Sequence, residues 1–283
     1  MTVRDTLRDA KKKLMRYRIF PILNFPGRTI STWSTHIWPT VRTWLSWLFR
    51  SREESNFTYA LTQRCEVNFT AGLSSILNQK PEAIRRYLRE IQEDEEFKRH
   101  IASLLPTHPD QYRTDVEPHV GRRMVWYAIA RATKPEIVVE TGVDQGMGAV
   151  VLCAALKRNA SEGHPGRYYG TEINPLAGYL LQGDYAKFGK ILFGDSLKSL
   201  EALDNIGLFI NDSDHSASYE RAEYELIRTK LSPGGIILGD NSHVTSELAE
   251  FSMLHGRRFV FFSEEPANHW YRGAGIGIST PGH

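Results

Sequence analysis

Between Gly121 and the end of the chain, apolar runs of four to six residues alternate with stretches whose apolar positions recur every three or four residues. The runs predict strands at Ile137–Glu140, Arg167–Thr171, Lys190–Phe193, Leu208–Asn211, Ile236–Leu238, Arg258–Phe262 and Gly275–Ser279. The periodic stretches predict helices at Arg122–Ala132, Gly148–Asn159, Leu176–Phe188, Ser218–Leu231 and Ser246–Gly256. Strand and helix in alternation imply an α/β fold: a doubly wound, mostly parallel seven-stranded sheet. The last strand follows its predecessor without a helix, so it is expected to pair antiparallel.

Upstream the pattern is helical. Pro81 suits a first helical turn, and Ile84, Leu88 and Ile91 then form a stripe. The acidic run Glu90–Glu96 reads as a solvated face. Leu105–Pro118 carries Pro106, Pro109 and Pro118 and reads as a linker. Nearer the start, His36–Arg50 reads as a short helix with Trp38, Val41, Leu45 and Leu48 on one face and Trp44 beside them. The chain divides into residues 1–52, an N-terminal segment; residues 53–118, a helical region and linker; and residues 119–283, the α/β domain.

Charge sharpens this division. Residues 1–52 hold eleven Lys/Arg against Asp5 and Asp9, a surplus of nine, whereas the remainder holds 24 bases against 31 acids. A basic, tryptophan-rich segment suits peripheral contact with a membrane of anionic lipids. The pattern suits still better a helix packed on the protein's own body or on a second subunit, which makes a homo-oligomer an expectation. No reader motif points to nucleic acid. Apolar runs are shorter than the roughly 20 residues of a membrane span. Two cysteines, Cys65 and Cys153, make neither a disulfide framework nor a zinc cluster, which points to the cytoplasm.

Candidate chemistry gathers at the ends of the predicted strands, where open parallel sheets bind ligands. The first strand runs into Glu140-Thr141-Gly142-Val143-Asp144-Gln145-Gly146-Met147-Gly148. Its Gly-x-x-x-Gly-x-Gly spacing differs from the Gly-x-Gly-x-x-Gly turn of dinucleotide-binding proteins. The second strand ends in Glu172, an acid able to accept hydrogen bonds from both hydroxyls of a ribose. A polar turn, Gly194-Asp195-Ser196, follows the third, and Asn211-Asp212-Ser213-Asp214-His215 follows the fourth.

Together these elements resemble the class I S-adenosylmethionine-dependent methyltransferases over about residues 120–283. The resemblance implies S-adenosyl-L-methionine as cofactor, bound by Glu140, Thr141, Gly142, Gln145, Gly146, Gly148, Glu172, Asp195, Ser196 and Asp212. The fifth strand runs into Gly239-Asp240-Asn241. Asp212, Asp240 and Asn241 are oxygen donors suited to Mg²⁺ or another hard divalent cation. Their placement is similar to that in the divalent-metal-dependent O-methyltransferases, including the small-molecule and sugar-modifying branches. A metal and a base would together activate an acceptor hydroxyl. His215 and Asp214 both stand where the resemblance places the base, and the unperturbed pKa of histidine, about 6.5, favours His215. His243 is a weaker candidate beside the metal. Pro266–Gly273 reads either as an acceptor wall or as a plain hairpin loop. Residues 53–118 would form a lid or substrate region.

The expected activity is O-methylation of a sugar, glycosylated or lipid-linked small molecule, as in natural-product or glycolipid biosynthesis. A metal-independent N- or O-methyltransferase, or a binding module with a vestigial cofactor fold, are the alternatives.

Overall fold

The computed structural model describes residues 3–15, 22, 24–54, 56–105, 115 and 117–282. The chain forms two units: Met1–Ser51 with Asn268–Trp270, and Arg52–Ala267 with Tyr271–His283.

The first unit holds α1 (Val3–Leu14), α2 (Phe25–Thr32) and α3 (Trp38–Leu48), with a π-helical turn at Trp33–Ile37 joining the last two. Pro26 and Pro39 sit in the first turns of α2 and α3, where a missing N–H costs little. The helix expected at His36–Arg50 is thus the later half of a longer helical run.

The second unit opens with α4 (Gln63–Leu77), α5 (Pro81–Gln92) and α6 (Glu95–Leu104). Thr62 caps α4 by accepting from the Cys65 N–H, and Asp94 caps α6 by accepting from Glu96 and Phe97. Pro81 starts α5, and Ile84, Leu88 and Ile91 are buried as a stripe. The expected linker lies, from residue 106 to 114 and at 116, outside the described residues.

Then follow α7 (Arg123–Thr133), β1 (Ile137–Thr141), α8 (Met147–Ser161), β2 (Arg167–Glu172), β3 (Gly189–Phe193), α9 (Ser196–Glu201), β4 (Ile206–Asn211), α10 (Ala217–Ile227), β5 (Leu231–Gly239), α11 (Glu247–Leu254), β6 (Arg258–Ser263) and β7 (Gly275–Thr280). The sheet order is β3-β2-β1-β4-β5-β7-β6. Neighbours from β3 through β5 are parallel, and β7 pairs antiparallel with both β5 and β6. The α/β class and the antiparallel last strand are as expected. The order reverses between β1 and β4, which opens a crevice at the carboxyl ends of those strands.

Alternate strand residues face opposite layers. Val138, Leu208 and Leu238 pack with α4 to α8, whereas Val139, Phe209 and Ile237 pack with α10 and α11. The Glu90–Glu96 run is not merely solvated. Glu90 accepts from Arg131 Nε at 2.8 Å and Tyr127 Oη at 2.5 Å. Asp94 accepts from Arg158 at 2.9 Å, and Glu96 pairs with Lys157. These acids tie α5 and α6 to α7 and α8.

Two further expectations change. The strand expected at Ile236–Leu238 starts earlier, at Leu231, and its pairing with β4 slips register between Ile206 and Leu208. Leu176–Phe188 is not a helix; only Tyr185–Lys187 makes a 3₁₀ turn. Gly178 and Gly183 there have φ of +74° and +58°. The backbone instead closes against the glycine-rich loop, with Gly178 N–H donating to Asp144 O at 2.6 Å and Leu180 N–H to Gln145 O at 3.0 Å. Those tertiary bonds replace the local ones that a helix would have made.

Candidate active site

The loop after β1 is held open by its surroundings. Gly142 has φ +81°, and a Cβ there would fall 2.0 Å from the Asp212 carbonyl oxygen. Only glycine lets the loop pass so close to the end of β4. Glu172, at the end of β2, accepts from the N–H groups of Val143 at 3.1 Å and Asp144 at 2.9 Å through one oxygen. Its other oxygen accepts from Asn174 N–H at 2.9 Å. Beneath the loop lies Glu140, 1% exposed, accepting from Tyr168 Oη at 2.5 Å. Burial pushes its carboxyl up to about 8 against the lowering hydrogen bond from Tyr168. A Cβ on Gly148 would meet both Glu140 and Trp126, so the start of α8 packs directly on this acid.

Above the carboxyl ends of β1, β2, β4 and β5 lies a cleft of about 990 Å³. That is at the upper end for ligand pockets and leaves room for two small molecules. Glu140, Gly142, Gly148, Glu172, Asp195, Ser196, Asp212, Asp214, His215 and Asn241 all line it. Thr141, Gln145, Gly146 and Asp240 do not. Thr141 is fully buried and donates to Glu223 at 3.0 Å. Gln145 is 1% exposed and accepts from Tyr179 Oη at 2.8 Å, and Gly146 caps α8 with φ +99°. These three hold the loop, and Gln145 Nε2 is buried without a partner.

On the far side of the cleft, Asn241 Nδ2 donates to Asp212 Oδ1 at 3.0 Å and stands 3.1 Å from His215 Nδ1. Asp214 accepts from the Ser216 N–H at 2.8 Å through one oxygen, at the turn that starts α10. His215 is exposed to the cleft. Asp240 is fully buried, and Arg122 takes both of its oxygens, Nε at 2.6 Å on Oδ1 and Nη2 on Oδ2. The guanidinium also donates to Tyr59 Oη and Glu264 Oε1, each at 3.1 Å. Burial works against charge on Asp240, but Arg122 outweighs it and holds that carboxyl below the usual range. Burial and the facing Asp240 charge push Asp212 well above it. His243 lines the cleft, and burial with the nearby Arg122 lowers its pKa. Tyr271 also lines the cleft and donates to Glu264 at 3.0 Å, so the 266–273 loop contributes one aromatic to the wall.

Sequence reasoning passed over three residues. Glu223, fully buried on α10, accepts from Thr141, Ser196, Asn211 and Ser213, which gathers the ends of β1 and β4 and the start of α9. Arg122 anchors Asp240. Arg123 lines the cleft with its guanidinium 5.2 Å from the Phe57 ring and 5.7 Å from the Trp126 ring. Its Nε is buried without a partner. Two bases at a helix N-terminus oppose the helix dipole, and that mismatch was a readable signal that something else requires them.

Residues 139–242 match the family model described as a methyltransferase domain. Over this span the chain is similar to a methyltransferase domain. The matched span runs from β1 to the end of β5 and so includes every strand end described above. The chain is similar in structure to an O-methyltransferase from Bacillus cereus in complex with SAH, at 15% identity over 76% of this chain and 97% of that one, TM-score 0.45. It is similar to the O-methyltransferase TomG from Streptomyces achromogenes, involved in tomaymycin synthesis, at 13% identity over 79% and 100%, TM-score 0.47. A methyltransferase from Geobacter sulfurreducens gives 17% over 57% and 78%, TM-score 0.44. No curated protein matches the sequence.

The cleft fits a zwitterionic nucleoside cofactor. Thr171 Oγ1 and Arg123 Nε are buried polar atoms without partners on its wall, and buried polar atoms need partners. Gly194, with φ +130°, borders open space at the end of β3. The donor set expected for a metal does not fit. Asp212 and Asn241 reach the cleft, whereas Asp240 is fully buried with both oxygens bonded to Arg122. As arranged here, Asp240 is the buried partner of a permanent cation.

Proposed function

We propose that the protein transfers a methyl group from S-adenosylmethionine to a hydroxyl oxygen of a polar small molecule of the sugar or glycosylated class. When bound, the cofactor supplies an electrophilic methyl on a sulfonium. Glu172 would hold its ribose hydroxyls, Asp195 and Ser196 the adenine side, and Arg123 its carboxylate. His215 takes the proton from the acceptor oxygen at a ring nitrogen, and the neighbouring Asn241 amide orients that ring. Positioning in the cleft contributes much of the rate, because the acceptor oxygen must approach the methyl in line. A polar wall that includes Asn56, Asn174, His243 and Tyr271 suits a polyhydroxylated acceptor.

The observation that carries this reading is the meeting of Asp212, Asn241 and His215 at the cleft rim, with Asp214 bonded to its own turn. The expected Mg²⁺-assisted route would require Arg122 to release Asp240. The Arg122–Asp240 pair favours metal-independent O-methylation instead.

Radiometric methyl transfer to a panel of sugar and glycoside acceptors tests both points. His215→Ala should lower turnover by roughly 10²–10⁴-fold while cofactor binding persists. Chelation with EDTA should leave turnover intact. Unchanged turnover in His215→Ala removes the base assignment, and loss of turnover in EDTA removes the metal-independent reading.

A further inference from the structure

The helical run from Phe25 to Leu48 leaves most of its apolar side chains exposed, although Val41 is half-buried and Trp47 packs against His269 and Trp270. Ile30, Trp33, Ile37, Val41, Leu45 and Leu48 recur at spacings of three and four residues, and no residue of α2, the π-turn or α3 is buried. Trp33 is 51% exposed, Trp38 49% and Trp44 45%. Contiguous apolar surface of this kind marks an interaction site.

Charge selects the occupant. No acid occurs between Phe25 and Arg52, while Arg28, Arg42, Arg50 and Arg52 do. A second copy meeting this face symmetrically would set like charges together. An anionic lipid surface matches both the charge and the tryptophans, which favour the headgroup boundary. The hydroxyls of the run need little water. Thr29, Thr35 and Thr40 donate to the carbonyls four residues back, and Ser34 donates to Ser31 O at 3.2 Å. A helix in a poorly hydrated layer satisfies its polar groups in this way. No helix among the described residues is long and apolar enough to cross a membrane, so the run would lie in the surface plane.

We propose that Phe25–Leu48 docks on an anionic membrane surface, with its tryptophans in the headgroup–acyl boundary and the Lys/Arg of residues 1–52 on the lipid phosphates. This rests on the N-terminal unit alone and stands whether or not the acceptor assignment holds.

The test uses the full chain with vesicles of phosphatidylcholine containing about 30 mol % phosphatidylglycerol, against pure phosphatidylcholine. The expected result is co-sedimentation with the anionic vesicles, weaker by roughly tenfold or more on neutral ones and in high salt. Tryptophan emission should shift to the blue and be quenched by brominated acyl chains. The triple variant W38S/W44S/L48S should lose binding while its thermal unfolding stays that of the parent. Three results overturn the proposal: no sedimentation with anionic vesicles, undiminished sedimentation of the triple variant, or a dimer that the triple variant dissolves while neither protein binds vesicles.

Discussion

The two sides of the cleft are built on opposite plans. On the β1–β2 side, backbone does the work. Glycines bring the loop close to β4, and one carboxylate, Glu172, gathers three N–H groups. On the β4–β5 side, side chains do the work. Asp212, Asp240 and Glu264 crowd around Arg122, whose guanidinium reaches two of these acids and the Tyr59 hydroxyl. The neighbouring arginines divide along the same line. Arg122 is saturated by carboxylates, whereas Arg123 presents an unpaired Nε at the cleft. A satisfied buried charge reports on the fold, and an unsatisfied one reports on a ligand.

The largest expected effect breaks the side-chain plan. Arg122→Ala leaves Asp240 and Glu264 buried without their cation and should cost roughly 3–5 kcal/mol in urea unfolding. A loss below about 1 kcal/mol would mean that the guanidinium is not the organiser of that side.

Next comes the acid beneath the backbone plan. Burial holds the Glu140 carboxyl at about 8 in the fold, against an ordinary value of 4.5. Its proton is held in the folded state and lost in the unfolded one between those limits. Stability contributed by this group is therefore complete below about 4.5 and falls as pH rises to about 8. Unfolding curves across that window should show a loss of a few kcal/mol that Glu140→Gln abolishes. A variant with the parental pH slope would contradict the assignment.

Smaller effects concern binding. Glu172→Ala should weaken S-adenosylmethionine by roughly 2–3 kcal/mol, since both a charged acceptor and the loop's own staple disappear. Arg123→Gln should weaken it by roughly 1–2 kcal/mol and leave stability nearly unchanged. Decarboxylated cofactor should bind parent and Arg123→Gln alike. If the parent still prefers the cofactor with its carboxylate as strongly after the substitution, Arg123 holds something else.

The same contrast explains what the sequence made legible. The seven strands and their antiparallel finish follow from period and order, because apolar alternation is a local signal. Glu172 and the loop glycines were readable because each sits next to the strand end that places it. Arg122 was not, since its partner Asp240 lies 118 residues away and no local spacing joins them. Glu223 likewise joins groups from β1, β4 and α9 only once the sheet exists. Leu176–Phe188 misled because its apolar spacing suited a helix, while Gly178 and Gly183 supply the positive φ that the loop closure uses. The tryptophans of α3 show the reverse limit. Their period reveals a helix, but nothing in a period says what covers its face.

Titration calorimetry of S-adenosylmethionine into the full chain tests the central claim most directly. The account predicts one site per chain, a dissociation constant on the order of micromolar, and a matching rise in unfolding temperature. A folded protein that takes up no heat and gains no stability at saturating cofactor would contradict it.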